Sequence, residues 1–248
     1  MILLAFDLET TGLDFVKDRP IEVGAILYST GQQKCLESQG FLVKTDVAIS
    51  PEITKLTGIT QAAVDKFGYP SGSSFQTVVD MAEQADAIIG HNIVRFDKRM
   101  LKAWEARENV DIPAILSEGA KIPNRLWIDT YTDLPDTEVG KLTLMAANAG
   151  FLNMFPHSAL ADCQTVLKLI EKYDIAKIVE RAQSPTIVVQ AHQARHENDL
   201  AKKAKFRWYP EKKMWWKFVK EMDLEAFVKS VTFDVSVHRE NIEEFQNL

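Results

Sequence analysis

The chain opens with an unbroken apolar run, Ile2-Leu3-Leu4-Ala5-Phe6, that ends at once in acid, with Asp7 and Glu9 two positions apart. A short apolar run broken by polar residues reads as a buried strand that delivers polar groups at its tip. Residues two apart on a strand leave the same face, so the two carboxylates project side by side. Like charges so placed repel unless something positive sits between them. A donor set made only of oxygens favours hard cations such as Mg²⁺ or Mn²⁺ over zinc. Taken alone, the pair reads equally well as two solvated acids at a strand end.

Two further strands are expected at 20–28 and 35–43, separated by the turn Ser29-Thr30-Gly31, which predicts an antiparallel meander. Short helical pieces follow at 51–56 and 60–67, then a Gly/Pro/Ser-rich break at 68–73 and a helix capped by Ser74 that runs to about Glu83. A strand at 87–89 leads into a helix over 96–107, where Phe96, Met100, Leu101 and Trp104 recur at helical spacing. A loop containing Pro and Gly precedes a strand at 126–128, and helices are expected over 142–149, 158–171 and 175–182. Strands first, then strand and helix in alternation, predict an α/β fold: a mixed sheet with helices on its faces. Gln183–Thr186 reads as a linker to a small α+β unit with a strand at 187–191, a helix at 197–204, a hairpin turning at Pro210-Glu211, a helix at 224–228 and a strand at 231–235.

At 248 residues the chain suits one large domain, or a medium domain with a small appendage. Its 46% apolar and 26% charged content supports a sizeable core and argues against global disorder. Cys35 and Cys163 form no CxxC pair, so a reducing compartment is expected rather than a disulfide framework. The first residues lack a basic n-region and no apolar stretch approaches a membrane span, so the expected location is cytoplasmic. The net charge of −6 is unevenly spread: Gln183–Lys220 holds nine Lys and Arg against three Asp and Glu, a local +6 that leaves −12 for the rest. An acidic body can still approach nucleic acid if its carboxylates hold divalent cations that invert the local field.

The first acids sit in FDLETTGL (Phe6–Leu13), whose Thr-Thr-Gly turn offers hydroxyls and backbone N–H groups, and the next strand begins Ile21-Glu22-Val23-Gly24. This stretch resembles the first motif of the DEDDh exonucleases, the superfamily that includes the proofreading subunit of bacterial replicative polymerase. ISPEITKLTGIT (Ile49–Thr60) is similar to the segment after that family's third strand. GHNIVRFDKRML (Gly90–Leu101) resembles the second motif, with Asp97 in the first turn of a helix, Asn92 in the loop before it and Phe96 anchoring the turn. A lone Asp there would merely complement the helix dipole; the Gly-His-Asn prefix argues for more. Three residues separate Asn92 from Phe96 where many members have two, a departure confined to the loop.

HSALADC (His157–Cys163) resembles the third motif, with His157 and Asp162 five apart. On one continuous helix such residues diverge by about 140°. They converge only if His157 lies in the loop or first turn before the helix that carries Asp162. Pro156 supports that boundary, and Ser158 is a suitable cap. Ser158 stands where the family often has Asp, at a position without a ligand role.

The resemblance covers most of residues 1–182, expected as an exonuclease domain, and implies a ribonuclease H-like mixed five-stranded sheet flanked by helices. It implies 3′→5′ release of nucleoside 5′-monophosphates with two Mg²⁺ ions, for which Mn²⁺ can substitute. In that scheme Asp7 bridges both ions, Glu9 and Asp162 complete one site and position the water, and Asp97 acts largely through metal-bound water. His157 takes the proton from the attacking water, a task for a group that titrates near neutrality. Thr10, Thr11, Leu13 and Asn92 are candidate contacts to the terminal nucleotide. His91 reads as loop support, Asp129 as a helix cap, and His192, His196 and His238 as surface residues.

The segment LAKKAKFRWYPEKKMWWKFVK (Leu200–Lys220) interleaves aromatics with cations, as a single-strand platform would, with bases stacked on rings and cations along phosphates. A module this small needs large residues inside, so at least half of Phe206, Trp208, Trp215 and Phe218 are expected to be buried. Lys202, Lys203, Arg207, Lys212, Lys213 and Lys217 are then the candidate nucleic-acid contacts, in a module spanning 187–238 with a tail at 239–248. FRWYPEKKMWW (Phe206–Trp216) resembles a small C-terminal module behind exonuclease domains of the exonuclease X type. The expected partner is DNA, single-stranded or at the 3′ ends of a duplex, with no membrane partner. The alternatives are an RNA-end trimmer, a proofreading subunit whose appendage binds a polymerase, and a non-catalytic nucleic-acid-binding protein with a retired nuclease fold. Five competent residues at the catalytic positions argue against the last.

Overall fold

The computed structural model describes residues 1–108, 121–135, 140–193, 197–239 and 245. They divide into two compact units, Met1–Ala182 and Gln183–Leu248. In the first, β1 (Ile2–Thr10), β2 (Pro20–Ser29) and β3 (Lys34–Leu42) form the antiparallel meander expected from their apolar runs. β4 (Ala87–Gly90) adds to β1 in parallel and β5 (Leu126–Asp129) adds to β4, giving a mixed five-stranded sheet in the order β3-β2-β1-β4-β5.

Seven helices accompany this sheet among the described residues: α1 (Pro51–Thr57), α2 (Gln61–Phe67), α3 (Ser71–Glu83), α4 (Asp97–Glu108), α5 (Leu142–Asn148), α6 (Ala159–Ile170) and α7 (Ile175–Gln183). The side chains of Ser50 and Thr60 cap α1 and α2 by accepting the N–H groups of Ile53 and Ala63. The expected cap at Ser74 is corrected: α3 starts one turn earlier, behind Pro70, and Ser74 is buried inside it. Pro70 fixes φ at −55° and ends the preceding extended stretch, which suffices to start the helix without a side-chain cap.

The pleat of β1 sorts its side chains into two cores. Leu4, Phe6 and Leu8 pack with Phe75 and Val78 of α3 and with Met100, Leu101 and Trp104 of α4. Leu3 and Ala5 pack on the other face with Met145 of α5 and Cys163, Val166 and Leu167 of α6. Asp7 and Glu9 continue this second series, so the strand's own alternation carries both acids to the face where α6 lies.

The second unit is an antiparallel sheet in the order β7-β8-β6-β9, built from β6 (Thr186–His192), β7 (Arg207–Tyr209), β8 (Met214–Lys220) and β9 (Asp234–His238), with α8 (Asn198–Lys203) and α9 (Leu224–Ser230). The last strand begins later than expected because α9 runs on to Ser230 and residues 231–233 make the connection. Of the four aromatics expected to share this unit's core, Phe206 is fully buried, Trp215 and Phe218 are half-buried, and Trp208 is exposed. Trp216 takes the central buried position instead. No helix among the described residues is long and apolar enough to cross a membrane.

Candidate active site

Asp7 and Glu9 are half-buried on β1, opposite Gly24 and Glu22 of β2 respectively. A Cβ on Gly24 would lie 2.2 Å from the carbonyl carbon of Ala159, so this glycine is what lets the first turn of α6 rest directly on β2. Asp162 sits in that turn. Its carboxylate and those of Asp7 and Glu9 offer oxygen atoms that all lie within 4.8 Å of one another.

Ser158 occupies the N-cap position of α6, as expected, but its hydroxyl does not cap the helix. It bonds instead to Glu22, whose carboxylate also accepts the Ala159 N–H at 3.0 Å. Glu22 lies in the stretch that resembles the first motif, and its local sequence assigns it no role. The signal that could have found it is the β1–β2 register, which sets it across from Glu9.

Asp97, the first residue of α4, is 3% exposed and accepts the Leu8 N–H at 3.0 Å. It thus meets β1 between the two acids, outside the group of three. The loop ahead of it is organised by Asp129, at the end of β5, which accepts the N–H groups of Asn92 (2.7 Å), Val94 (3.2 Å) and Tyr131 (2.9 Å). The expectation that Asp129 caps a helix is corrected, since residues 130–135 form turns. Asn92 is in a left-handed conformation at φ 58°, and its carbonyl accepts the N–H groups of Arg95 and Phe96. The three-residue spacer therefore forms a turn, with Ile93 wholly buried beneath it.

His157 lies two residues ahead of α6 with φ 63°, outside the helix as the spacing required. It is exposed, and its backbone N–H donates to Asp162 Oδ2 at 3.2 Å. Asn153, which the sequence did not single out, donates from its side chain to Asp162 Oδ1. The two threonines are buried, with hydroxyls turned inward: Thr10 donates to the Gly12 carbonyl at 2.6 Å and Thr11 to Asp18 at 2.9 Å. They shape the loop, while Leu13 is 79% exposed.

His91 is half-buried, 3.0 Å from the Thr130 hydroxyl, and burial lowers its pKa to about 4, in keeping with loop support. His192 and His238 are hydrogen-bonded with Ser236 and Gln190, and His196 lies outside the described residues. In the second unit Lys202 pairs with Asp199 and Lys217 donates to the Ala204 carbonyl, while Lys203, Arg207, Lys212 and Lys213 are exposed.

The acids strain against one another electrically. Burial, then the charges of Asp97, Asp162, Glu9 and Glu22, hold Asp7 well above the usual carboxylate range. Glu9 is pushed up to about 8 by burial, Asp162 and Glu22. Burial raises Asp97 and Asp162 as well, the latter opposed by its bonds to Asn153 and His157. No Lys or Arg among the described residues forms an ion pair with Asp7, Glu9 or Asp162. A half-buried, oxygen-only cluster with no Lys or Arg ion-paired to it among the described residues fits a hard divalent cation.

The PolC-type DNA polymerase III of Mycoplasmopsis pulmonis is 29% identical over 114 residues, which is 46% of this chain and 8% of that protein. The PolC-type enzyme of Clostridium perfringens is 25% identical over 181 residues, 71% of this chain and 11% of that one. The chain thus spans only 8% and 11% of these relatives. E. coli exonuclease I, in complex with a dA16 oligonucleotide, superposes with a TM-score of 0.56 at 19% identity, covering 77% of this chain and 48% of its own. A 3′-exonuclease whose structure concerns 3′-end recognition of a histone mRNA stem-loop gives 0.53 at 18% identity, with 69% and 80% covered. These likenesses show the ribonuclease H-like fold. Residues 4–170 match the model of the RNase T family, described as exonuclease, and this chain belongs to that DnaQ-like exonuclease family.

Proposed function

We propose that the chain is a metal-dependent 3′→5′ exonuclease that releases nucleoside 5′-monophosphates from DNA ends. The observation that carries this reading is the approach of carboxylate oxygens of Asp7, Glu9 and Asp162 to within 4.8 Å of one another, with no Lys or Arg ion-paired to them among the described residues. Two Mg²⁺ ions, or Mn²⁺ in their place, would neutralise phosphoryl oxygens and supply a nucleophilic water at neutral pH. Asp7, Glu9 and Asp162 would hold them, and Asp97 would steady β1 through the Leu8 N–H while adding charge to the site. His157, exposed at the mouth of the cluster, would accept the proton of the attacking water. Leu13 would meet the terminal base, and the basic second unit would hold the strand.

The test uses the full chain on 3′- and 5′-labelled DNA and RNA oligonucleotides, with Mg²⁺, Mn²⁺ or chelator. Mononucleotides should appear from the 3′ end only when metal is present, and DNA should be cut faster than RNA. Asp162→Ala should lose nearly all hydrolysis while keeping its fold. Wild-type rates from that variant, or release in chelator, would sink the assignment. The matches to PolC-type polymerases favour a second reading, proofreading, which predicts faster removal of mismatched than of matched primer ends.

A further inference from the structure

Tryptophan is among the residues that folding covers most completely on average, and Trp104 and Trp216 follow that rule with almost no exposure. Trp208 does not: it stands 47% exposed on β7, a three-residue strand at the edge of the second sheet. The exposed ring is also supported. Trp208 is paired in register with Trp215 of β8, and the ring centroids lie 5.5 Å apart at a tilt of 56°. The Trp215 indole N–H donates to Asn198 at 3.0 Å, which fixes the inner ring against α8. A large aromatic held by a second one, with solvent on its free side, is pre-organised for a flat ligand.

The surroundings select the ligand. Lys217 shares the face of Trp215, two residues further along β8; its ammonium donates to the Ala204 carbonyl at 3.1 Å and lies over the Phe227 ring. Lys205, next to Ala204 in a left-handed turn at φ 61°, is close enough for its charge to act on Lys217. Neither lysine is ion-paired with a carboxylate among the described residues. Lys217 stands on the sheet face that the paired indoles share, with the charge of Lys205 acting on it, and that combination calls for an anionic partner that also has flat faces. A protein partner would use the indole but would need acidic side chains to answer both lysines. A single nucleic-acid strand offers bases and phosphates at every step.

We propose that Trp208 is a base-stacking site for single-stranded nucleic acid, with Trp215 as its backing and Lys205 and Lys217 along the phosphates. This rests on the reading that the second unit grips nucleic acid, and it names the side chain that meets the bases. Because stacking is indifferent to sequence, the site would hold a strand without choosing its bases.

Two ligands separate bases from phosphates: oligo(dT) and an abasic phosphodiester strand of the same length, bound to the full chain in chelator so that nothing is cut. The wild type should prefer oligo(dT), and Trp208→Ala should weaken that binding roughly 5- to 100-fold, the range expected for one stacked base. The same variant should bind the abasic strand as the wild type does, and Trp208→Phe should restore most of the preference. The residue is exposed, so an unchanged melting temperature serves as the fold control. If Trp208→Ala keeps full affinity for oligo(dT) while Lys203→Glu with Lys213→Glu weakens it, the stacking site is overturned and nucleic-acid binding by the unit stands. If neither change matters, both readings fall.

Discussion

The carboxylate of Glu22 accepts the backbone N–H of Ala159 across 137 positions of sequence, and so caps from outside the helix that carries Asp162. Glu22→Ala leaves that N–H without its acceptor, and loss of a cap costs about 0.5–2 kcal/mol. The larger effect should be on the site: with this one tie between α6 and β2 removed, the distance from Asp162 to Glu9 is held less tightly. The Mn²⁺ concentration for half-maximal hydrolysis should rise several-fold, and Glu22→Gln, which keeps one acceptor oxygen, should recover most of it. An unchanged metal response in the alanine variant would reduce Glu22 to a stability element.

Gly24→Ala tests the same seam from the backbone. The added carbon would sit 2.2 Å from the carbonyl carbon of Ala159 and 2.3 Å from its oxygen, neither of which can swing aside. Overpacking of this kind costs about 1–3 kcal/mol, or roughly 2–4 °C of melting temperature per kcal/mol in a chain of this size. Activity should fall further than stability alone predicts, because α6 must move away from Asp7. Gly31→Ala, with nothing within 4 Å of the new carbon, is the control and should be silent.

These two residues also mark where sequence reasoning stops. The alternation of Leu3 and Ala5 against Leu4 and Phe6 is local, so the face of Asp7 and Glu9 was legible before any fold was known. The break before Asp162 was legible too, because residues five apart cannot converge on one helix. Glu22, Asp129 and Asn153 were not legible as parts of the site, since each acts through a partner fixed by tertiary register. The β1–β2 pairing that brings Glu22 to Glu9 shifts by a bulge between Glu9 and Thr10, which no periodicity announces. Trp208 escaped for a related reason: its exposure follows from β7 being an edge strand, and strand order is not written in the local pattern.

The acid cluster predicts how metal and pH trade places. Glu9 is pushed up to about 8 by burial and by its acidic neighbours, and Asp7 is raised by the same causes, whereas in an unfolded chain such groups titrate near 4. The metal-free folded protein therefore keeps protons that the unfolded chain has released, and its stability should fall as pH rises from about 4.5 towards 8. A divalent cation takes the place of those protons, so its stabilising effect should grow over the same window. Melting in chelator should give a lower Tm at pH 8 than at pH 6, and added Mn²⁺ should raise Tm more at pH 8. Glu9→Gln should flatten the chelator curve. A wild-type Tm that ignores pH in chelator would contradict the cluster's electrostatics.

His157 can be tested for proton transfer apart from loop shape, because its backbone stands at φ 63° and its N–H bonds to Asp162. Asparagine tolerates the left-handed region better than most residues, so His157→Asn keeps the turn and the bond to Asp162 while removing the imidazole. His157→Ala removes the imidazole and leaves at the turn a residue that visits the left-handed region less readily than His or Asn. If the ring accepts the proton of the attacking water, both variants should lose about 10²–10⁴-fold in kcat, and both should change the pH–rate profile. A role in holding the loop alone predicts a near wild-type rate for asparagine and a loss for alanine, with the pH profile intact in both. Partial rescue of the asparagine variant by added imidazole would place the missing ring in the proton path, since a free base cannot repair a turn.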